Sequence, residues 1–334
     1  MTAVGDHLPE EATRRANTIS QARGGSSGLG DRIFAGVSRT MAILVFAVLC
    51  GAALSMLWGG MLAFKTFGLR FIWSSDWDPV NLQFGALIPI YGTLVTSAIA
   101  IVFAVPLSFG IAIFLTELAP KWLRGPVSAA IELLAAVPSI IYGMWGLFVF
   151  VPFVSTYLEP WVNDHIGVLP IIGPLFSGPP IGIGMLTAGT ILAIMILPFI
   201  TAVMRDVFGA VPAELKEAAY SFGSTTWEVV SHVSVPYTRT AVVGAIFLGL
   251  GRALGETMAV TFVLGNAHQF AVSLFMPGNT IAAAIANEFT EADSAIYSSS
   301  LIALAFLLFL VTFVVIALAK LMLMRIGRLE GVQA

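Results

Sequence analysis

Cysteine is almost missing from this chain. The single one, Cys50, can form neither a disulfide nor a cysteine-based metal site within one chain. Histidine is nearly as scarce, and His7, His165, His232 and His268 are scattered without the spacing of a metal-ligand set. No phosphate loop of the GxxxxGK[ST] type occurs, so the chain is not expected to hydrolyse a nucleoside triphosphate itself. Charge is the third shortage. Asp, Glu, Lys and Arg make up 10% of the residues against 58% hydrophobic ones. With a mean hydropathy of +0.93, a soluble domain of this length could not hide so much apolar surface.

The few charges are clustered, which leaves uncharged runs at 40–64, 79–116, 133–158, 166–204, 257–287 and 294–319. A membrane span needs about 20 apolar residues. With loops allowed inside the longest runs, the pattern predicts six spans near 38–64, 86–117, 127–153, 183–204, 239–266 and 296–324. Residues 1–37, rich in Ser, Gly, Arg and Glu, carry no apolar run of signal-peptide length and read as a flexible tail. The remainder, 38–334, reads as one transmembrane domain. Segments 65–85, 154–182 and 267–295, with their Trp, Pro, Asn, Asp and Glu, read as loops on one side.

Basic residues orient the spans. Arg14, Arg15, Arg23, Arg32 and Arg39 precede span 1, Lys121 and Arg124 follow span 2, Arg205, Lys216 and Arg239 surround the loop after span 4, and Lys320, Arg325 and Arg328 end the chain. Only Lys65 and Arg70 fall on the opposite side. The positive-inside rule therefore predicts an all-α, multi-pass protein of the cytoplasmic membrane with both termini cytoplasmic.

The cytoplasmic segment 205–238 is punctuated in an unusual way. Glu217-Ala218-Ala219 is followed by Gly223, and then by Val233, Val235 and Pro236. A short helix can begin at Pro212 and stop at Gly223, which tolerates a left-handed cap. Thr225 and Glu228 can form a capping box that opens a second helix running to Pro236. The product is a helix–Gly–helix knuckle at the membrane surface. Its spacing resembles the EAA signature of the membrane subunits of ATP-binding-cassette importers, whose EAA loop docks on a soluble ATPase.

Span 5 carries two ionisable groups in Gly251-Arg252-Ala253-Leu254-Gly255-Glu256. With the helix entering near Ala241, Arg252 lies about 16 Å deeper, near the middle of a core about 30 Å thick. A charge there is costly and belongs against protein or a hydrated cavity. Glu256 is four residues on, on the same face of a continuous helix, where it can neutralise Arg252. Arg suits a tetrahedral oxyanion, because its planar fork donates two hydrogen bonds to two oxygens. Two readings stand side by side: an anion path, or an ion pair that only locks span 5 to its neighbours.

Further segments narrow the resemblance. GRALGETMAVTFVLGN at 251–266, IPIYGTLVTS at 88–97, FLTELAP at 114–120, IELLAAVPSIIYGMWG at 131–146, ILPFITAVMRDVF at 196–208 and MPGNTIAAAIANEF at 276–289 resemble the PstC-type permease family of bacterial phosphate importers. The likeness covers about residues 65–330. It implies a type I importer fold, pairing with a homologous PstA-type permease, two copies of a PstB-type ATPase that carries ATP and Mg, and a PstS-type periplasmic phosphate-binding protein. This chain itself would hold no cofactor. The resemblance implies a transport role for Arg252 and Glu256, and an ATPase-coupling role for Glu217, Ala218, Ala219, Gly223 and Pro236.

Other residues carry less. Pro138 and Pro198 interrupt spans as hinges or ordinary kinks, and Ser139 and Thr257 can donate to an anion or to their own backbone. Glu117 and Glu132 read as an interfacial ion network with Lys121 and Arg124. Permeases for sulfate, molybdate and organic solutes share the EAA knuckle, so another cargo remains open. An ion-coupled secondary transporter is a further alternative that leaves the knuckle unexplained.

Overall fold

The computed structural model describes residues 28–329. Of the tail expected over 1–37, residues 1–27 lie outside the described residues, and residues 28–37 are already helical. Residues up to Ser55 form one unit and Met56 onward another. The described part of the first unit lies within α1 (Gly28–Gly59), and its large apolar side chains from Ile33 to Leu54 are exposed.

The second unit is helical, and among the described residues its only β-type pairing is an isolated bridge between Asp78 and Gln83. It begins with two short helices, α2 (Met61–Phe67) and α3 (Arg70–Trp73), followed by the long α4 (Leu87–Ile113) and α5 (Lys121–Ala135). Then come α6 (Ser139–His165), α7 (Met185–Gly209), α8 (Ala213–Ser221) and α9 (Thr226–Leu254). The chain closes with α10 (Met258–Leu264), α11 (Ile281–Glu288) and α12 (Ala295–Leu329). Among the described residues six helices, α1, α4, α6, α7, α9 and α12, are long and apolar enough to cross a membrane.

The core is built on α7, whose Leu192, Ile196, Ile200 and Met204 recur every four residues and are fully buried. Against it packs α4, which buries a stripe of small residues at the same spacing: Gly92, Thr96, Ala100, Ala104, Ser108 and Ala112. Small side chains let two backbones approach where lipid offers no hydrophobic drive for association. The fit is tight, since a Cβ on Gly189 of α7 would lie 2.6 Å from Ile99.

Spans 1, 2, 4 and 6 fall near their expected positions, and spans 3 and 5 do not. Span 3 was expected at 127–153, but the chain breaks before Pro138 and the crossing helix is Ser139–His165. Proline lacks an N–H and disfavours helical geometry at the residue before it. The carbonyl of Leu134, four residues before Pro138, accepts instead from the Tyr142 hydroxyl at 2.9 Å. The expected loop 154–182 thus loses its first twelve residues to helix. Within them the Glu159 carboxylate is buried and accepts from the Gly182 amide at 2.8 Å. Span 5, expected at 239–266, is α9, then a break at Gly255–Thr257, then α10.

On the side of the loops, Glu288 at the end of α11 gathers three donors. Trp77 Nε1 (2.7 Å) and the Tyr297 hydroxyl (2.6 Å) reach one oxygen, and His268 Nε2 (2.6 Å) reaches the other. The indole of Trp77 stacks on the His268 ring, with centroids 5.0 Å apart. Burial pushes the Glu288 carboxyl up, but the hydrogen bonds from His268, Tyr297 and Trp77, with the charge of His268, hold it below its ordinary value. A lowered folded-state pKa means that this stabilisation is complete above the ordinary carboxylate range and is lost as pH falls through the folded value. Glu288→Gln should therefore weaken the attachment of α11 by about 2 kcal/mol at neutral pH. Amide exchange over 281–288 should speed up in the variant, and in the parent chain only under acid. Equal exchange in both at pH 7 would contradict the expectation.

Candidate anion site and coupling surface

The knuckle takes the form that its sequence predicts. Pro212 is the residue just before α8, and Glu217, Ala218 and Ala219 lie within that helix, with Glu217 and Ala218 exposed. Gly223 has φ +86, the left-handed conformation that ends a helix, and its amide donates to Tyr220 O at 2.9 Å. Thr225 and Glu228 then form a reciprocal capping box. Two exposed aromatics flank the turn, Phe222 (91% exposed) and Trp227 (72%), and the motif spacing does not reveal them.

Past the capping box the helix does not stop at Pro236 as expected. It widens into a π turn at Val230–Ser234 and continues as Val235–Leu254. The wider turn absorbs the missing donor and the ring of the proline, so α9 runs unbroken from the knuckle into the span.

Two ion pairs tie the knuckle region to neighbouring helices. Lys216 Nζ lies 2.6 Å from Glu117 at the end of α4's π-helical extension, and both side chains are largely buried. Arg205 near the end of α7 reaches Glu132 of α5 at 3.0 Å and Asp206 at 2.8 Å. Glu117 and Glu132 therefore do form an ion network, but with Lys216 and Arg205, whereas Arg124 donates to the carbonyl of Ala119. Residues so far apart in sequence meet only after α4, α5 and α7 have packed.

The other feature is Arg252, two residues before the end of α9 and exposed on the chain's own surface. Its guanidinium carbon lies over the ring of Phe199 at 5.5 Å from the centroid. Phe199 is about 21 Å along α7, a helix of about 37 Å, which puts the cation near mid-depth. Tyr142 at the start of α6 is within electrostatic reach of it. Two breaks, before Pro138 and after Leu254, thus flank the same level of the protein, since α10 packs on the first turns of α6.

Glu256 is not where a continuous helix would put it. Helix α9 ends at Leu254, and Glu256 Oε1 accepts from the Ala259 amide at 3.2 Å, capping α10. A carboxylate beside unsatisfied amides at a helix start is a favourable alternative to an ion pair. Among the described residues Arg252 has no carboxylate within 4.0 Å, and its N–H groups donate to no protein acceptor. The arrangement is an uncommitted cationic fork on one aromatic face, at the level of two helix breaks.

Comparison with known proteins gives the class. The profile of the family described as "Binding-protein-dependent transport system inner membrane component" matches residues 104–328. A crystal structure titled bacterial alginate ABC transporter in complex with alginate pentasaccharide-bound periplasmic protein contains a chain with the same fold. It covers 90% of this chain and 98% of its own, at a TM-score of 0.57 and 16% identity. The family match over more than half of the chain makes it a membrane permease subunit of an ATP-binding-cassette importer, and the shared fold agrees. Relatives named "Phosphate transport system permease protein PstC" are 60% identical in Xylella fastidiosa (strain 9a5c), over 86% of this chain and 88% of the relative. Another of that name, in Mesorhizobium japonicum, is 54% identical over 99% and 100%. The chain belongs to the PstC permease family.

Proposed function

We propose that this chain is one of two permease subunits that pass inorganic phosphate inward across the cytoplasmic membrane, powered by a separate ATPase. The reading rests on family membership and on one observation: a mid-depth arginine that has, among the described residues, neither a carboxylate nor a hydrogen-bond acceptor of its own. A bare cation at that depth is too costly to keep for packing alone. An anion supplies what it lacks, and the planar fork matches two phosphate oxygens. Relatives of high identity bear phosphate in their names, which favours phosphate over other oxyanions.

Because Arg252 is exposed on the surface of this chain, a second, homologous permease closes the path. Both termini face the cytoplasm. The knuckle at Glu217, Ala218, Ala219 and Gly223 docks on a dimer of ATPase subunits that hold ATP and Mg, and Pro236 lies within the unbroken helix that carries its motion. A periplasmic binding protein delivers phosphate to the opposite face. Glu256 keeps α10 in register behind Arg252 and adds a negative charge that speeds release. Uptake of labelled phosphate by membrane vesicles containing the whole complex tests this reading. Uptake should be blocked by vanadate and by excess arsenate but not by excess sulfate. Competition by sulfate alone, or uptake that persists with only an ion gradient, would overturn it.

A further inference from the structure

Phe199 lies within one of the segments that carry the family resemblance but is given no role by it or by the coupling machinery, yet among the described residues it is the one side chain found over the Arg252 guanidinium. It follows Pro198 in the middle of α7, and α7 is the most buried of the candidate spans. The residues around it, Ile196, Pro198 and Ile200, are buried. Its backbone is thus fixed by the core, while its ring reaches toward α9.

A ring over the guanidinium carbon attracts the cation through its quadrupole, and this attraction grows as water is removed. It uses the face of the guanidinium and leaves the N–H groups, which lie in the plane at its edge, free to donate. A carboxylate partner would do the reverse, since it would occupy those N–H groups and compete with an incoming anion. Glu256 is turned away to the amide of Ala259, so the aromatic ring takes over the task of holding the charge.

We propose that Phe199 is a positioning residue of the anion path: it holds the Arg252 guanidinium by its face, so that the fork is ordered before the anion arrives. The proposal rests on the reading of Arg252 as an anion-binding group. A ring that pre-orders a flexible side chain lowers the cost of binding without touching the anion. Its loss should weaken phosphate capture and leave assembly and ATP hydrolysis intact.

The test uses the assembled complex in membrane vesicles, with labelled inorganic phosphate as the probe. Phe199→Leu keeps an apolar side chain but removes the ring, and should raise the half-saturating phosphate concentration by roughly 5- to 20-fold. The maximal rate should stay within about twofold of the parent's. Phe199→Trp and Phe199→Tyr should stay close to the parent, because either ring can hold the cation. Plain packing predicts the opposite order, since Leu fits a partly buried apolar site and Trp overfills it. An unchanged half-saturating concentration in Phe199→Leu, or poorer transport in the Tyr and Trp variants than in the Leu variant, would overturn the proposal. Arg252→Gln in the same vesicles keeps the two levels apart. Normal uptake by that variant removes the anion-site reading, whereas lost uptake with an indifferent Phe199 series removes only the role of Phe199.

Discussion

Arg252→Gln should abolish phosphate uptake, and adding Glu256→Gln should not bring it back. Loss of a charge-assisted, two-pronged contact costs about 3 kcal/mol or more, which is at least about a hundredfold in rate. The double variant separates two roles. If Arg252 and Glu256 served to neutralise each other, removing both charges would restore a balanced core and transport with it. The geometry argues against that, since Glu256 caps α10 and Arg252 lies over Phe199. It also predicts that Glu256→Gln alone keeps α10 in place, because a glutamine oxygen can still accept from the Ala259 amide, and that uptake is slowed only by the loss of the charge that speeds release. Uptake per assembled complex, with ATPase copurification as the measure of assembly, is the quantity to compare. Near-normal uptake by the assembled double variant would remove Arg252 from the path.

Glu217→Lys and Gly223→Asp should each leave the chain inserted and uncouple it. Glu217 is exposed on α8, so its reversal has little to disturb within this chain and must act on whatever α8 meets. Reversing a charge at a docking surface typically costs a few kcal/mol, so ATPase copurification should fall by at least about tenfold. At Gly223 an added side chain meets open space within the chain, but φ +86 strains any residue other than glycine. An aspartate tolerates that conformation better than most, so strain is the smaller part of the effect. Its carboxylate beside the exposed Phe222 is the larger. Normal copurification and normal uptake in both variants would refute the docking assignment.

Much of this was legible in the sequence because local rules govern it. The capping box at Thr225 and Glu228, the left-handed Gly223 and four of the six spans depend on residues close together in the chain. The misplaced spans share one cause. An apolar run says where a helix can lie in lipid, but its ends are set by single hydrogen bonds. At span 3, Pro138 removes a donor and Tyr142 replaces it across the break. At span 5, the Glu256 carboxylate starts a new helix instead of meeting Arg252. The pairing of Lys216 with Glu117 and the approach of Phe199 to Arg252 were beyond sequence reasoning. They join segments that have no periodicity in common and meet only through tertiary packing.

The π turn before Pro236 has a mechanical consequence. Had the helix broken at that proline, a displacement of the knuckle would have been spent in a flexible joint. Instead a single rod runs from Thr226, next to the proposed docking surface, to Leu254, just beyond Arg252. From Thr226 to Arg252 is about 39 Å at 1.5 Å per residue. Pivoted at the knuckle, a tilt of about 10° carries the guanidinium sideways by roughly 7 Å over that length. That is more than the 5.5 Å now separating it from the Phe199 ring centre. The same helix is then both drive shaft and pointer, and a modest rocking of its base is enough to take the cation off its aromatic rest.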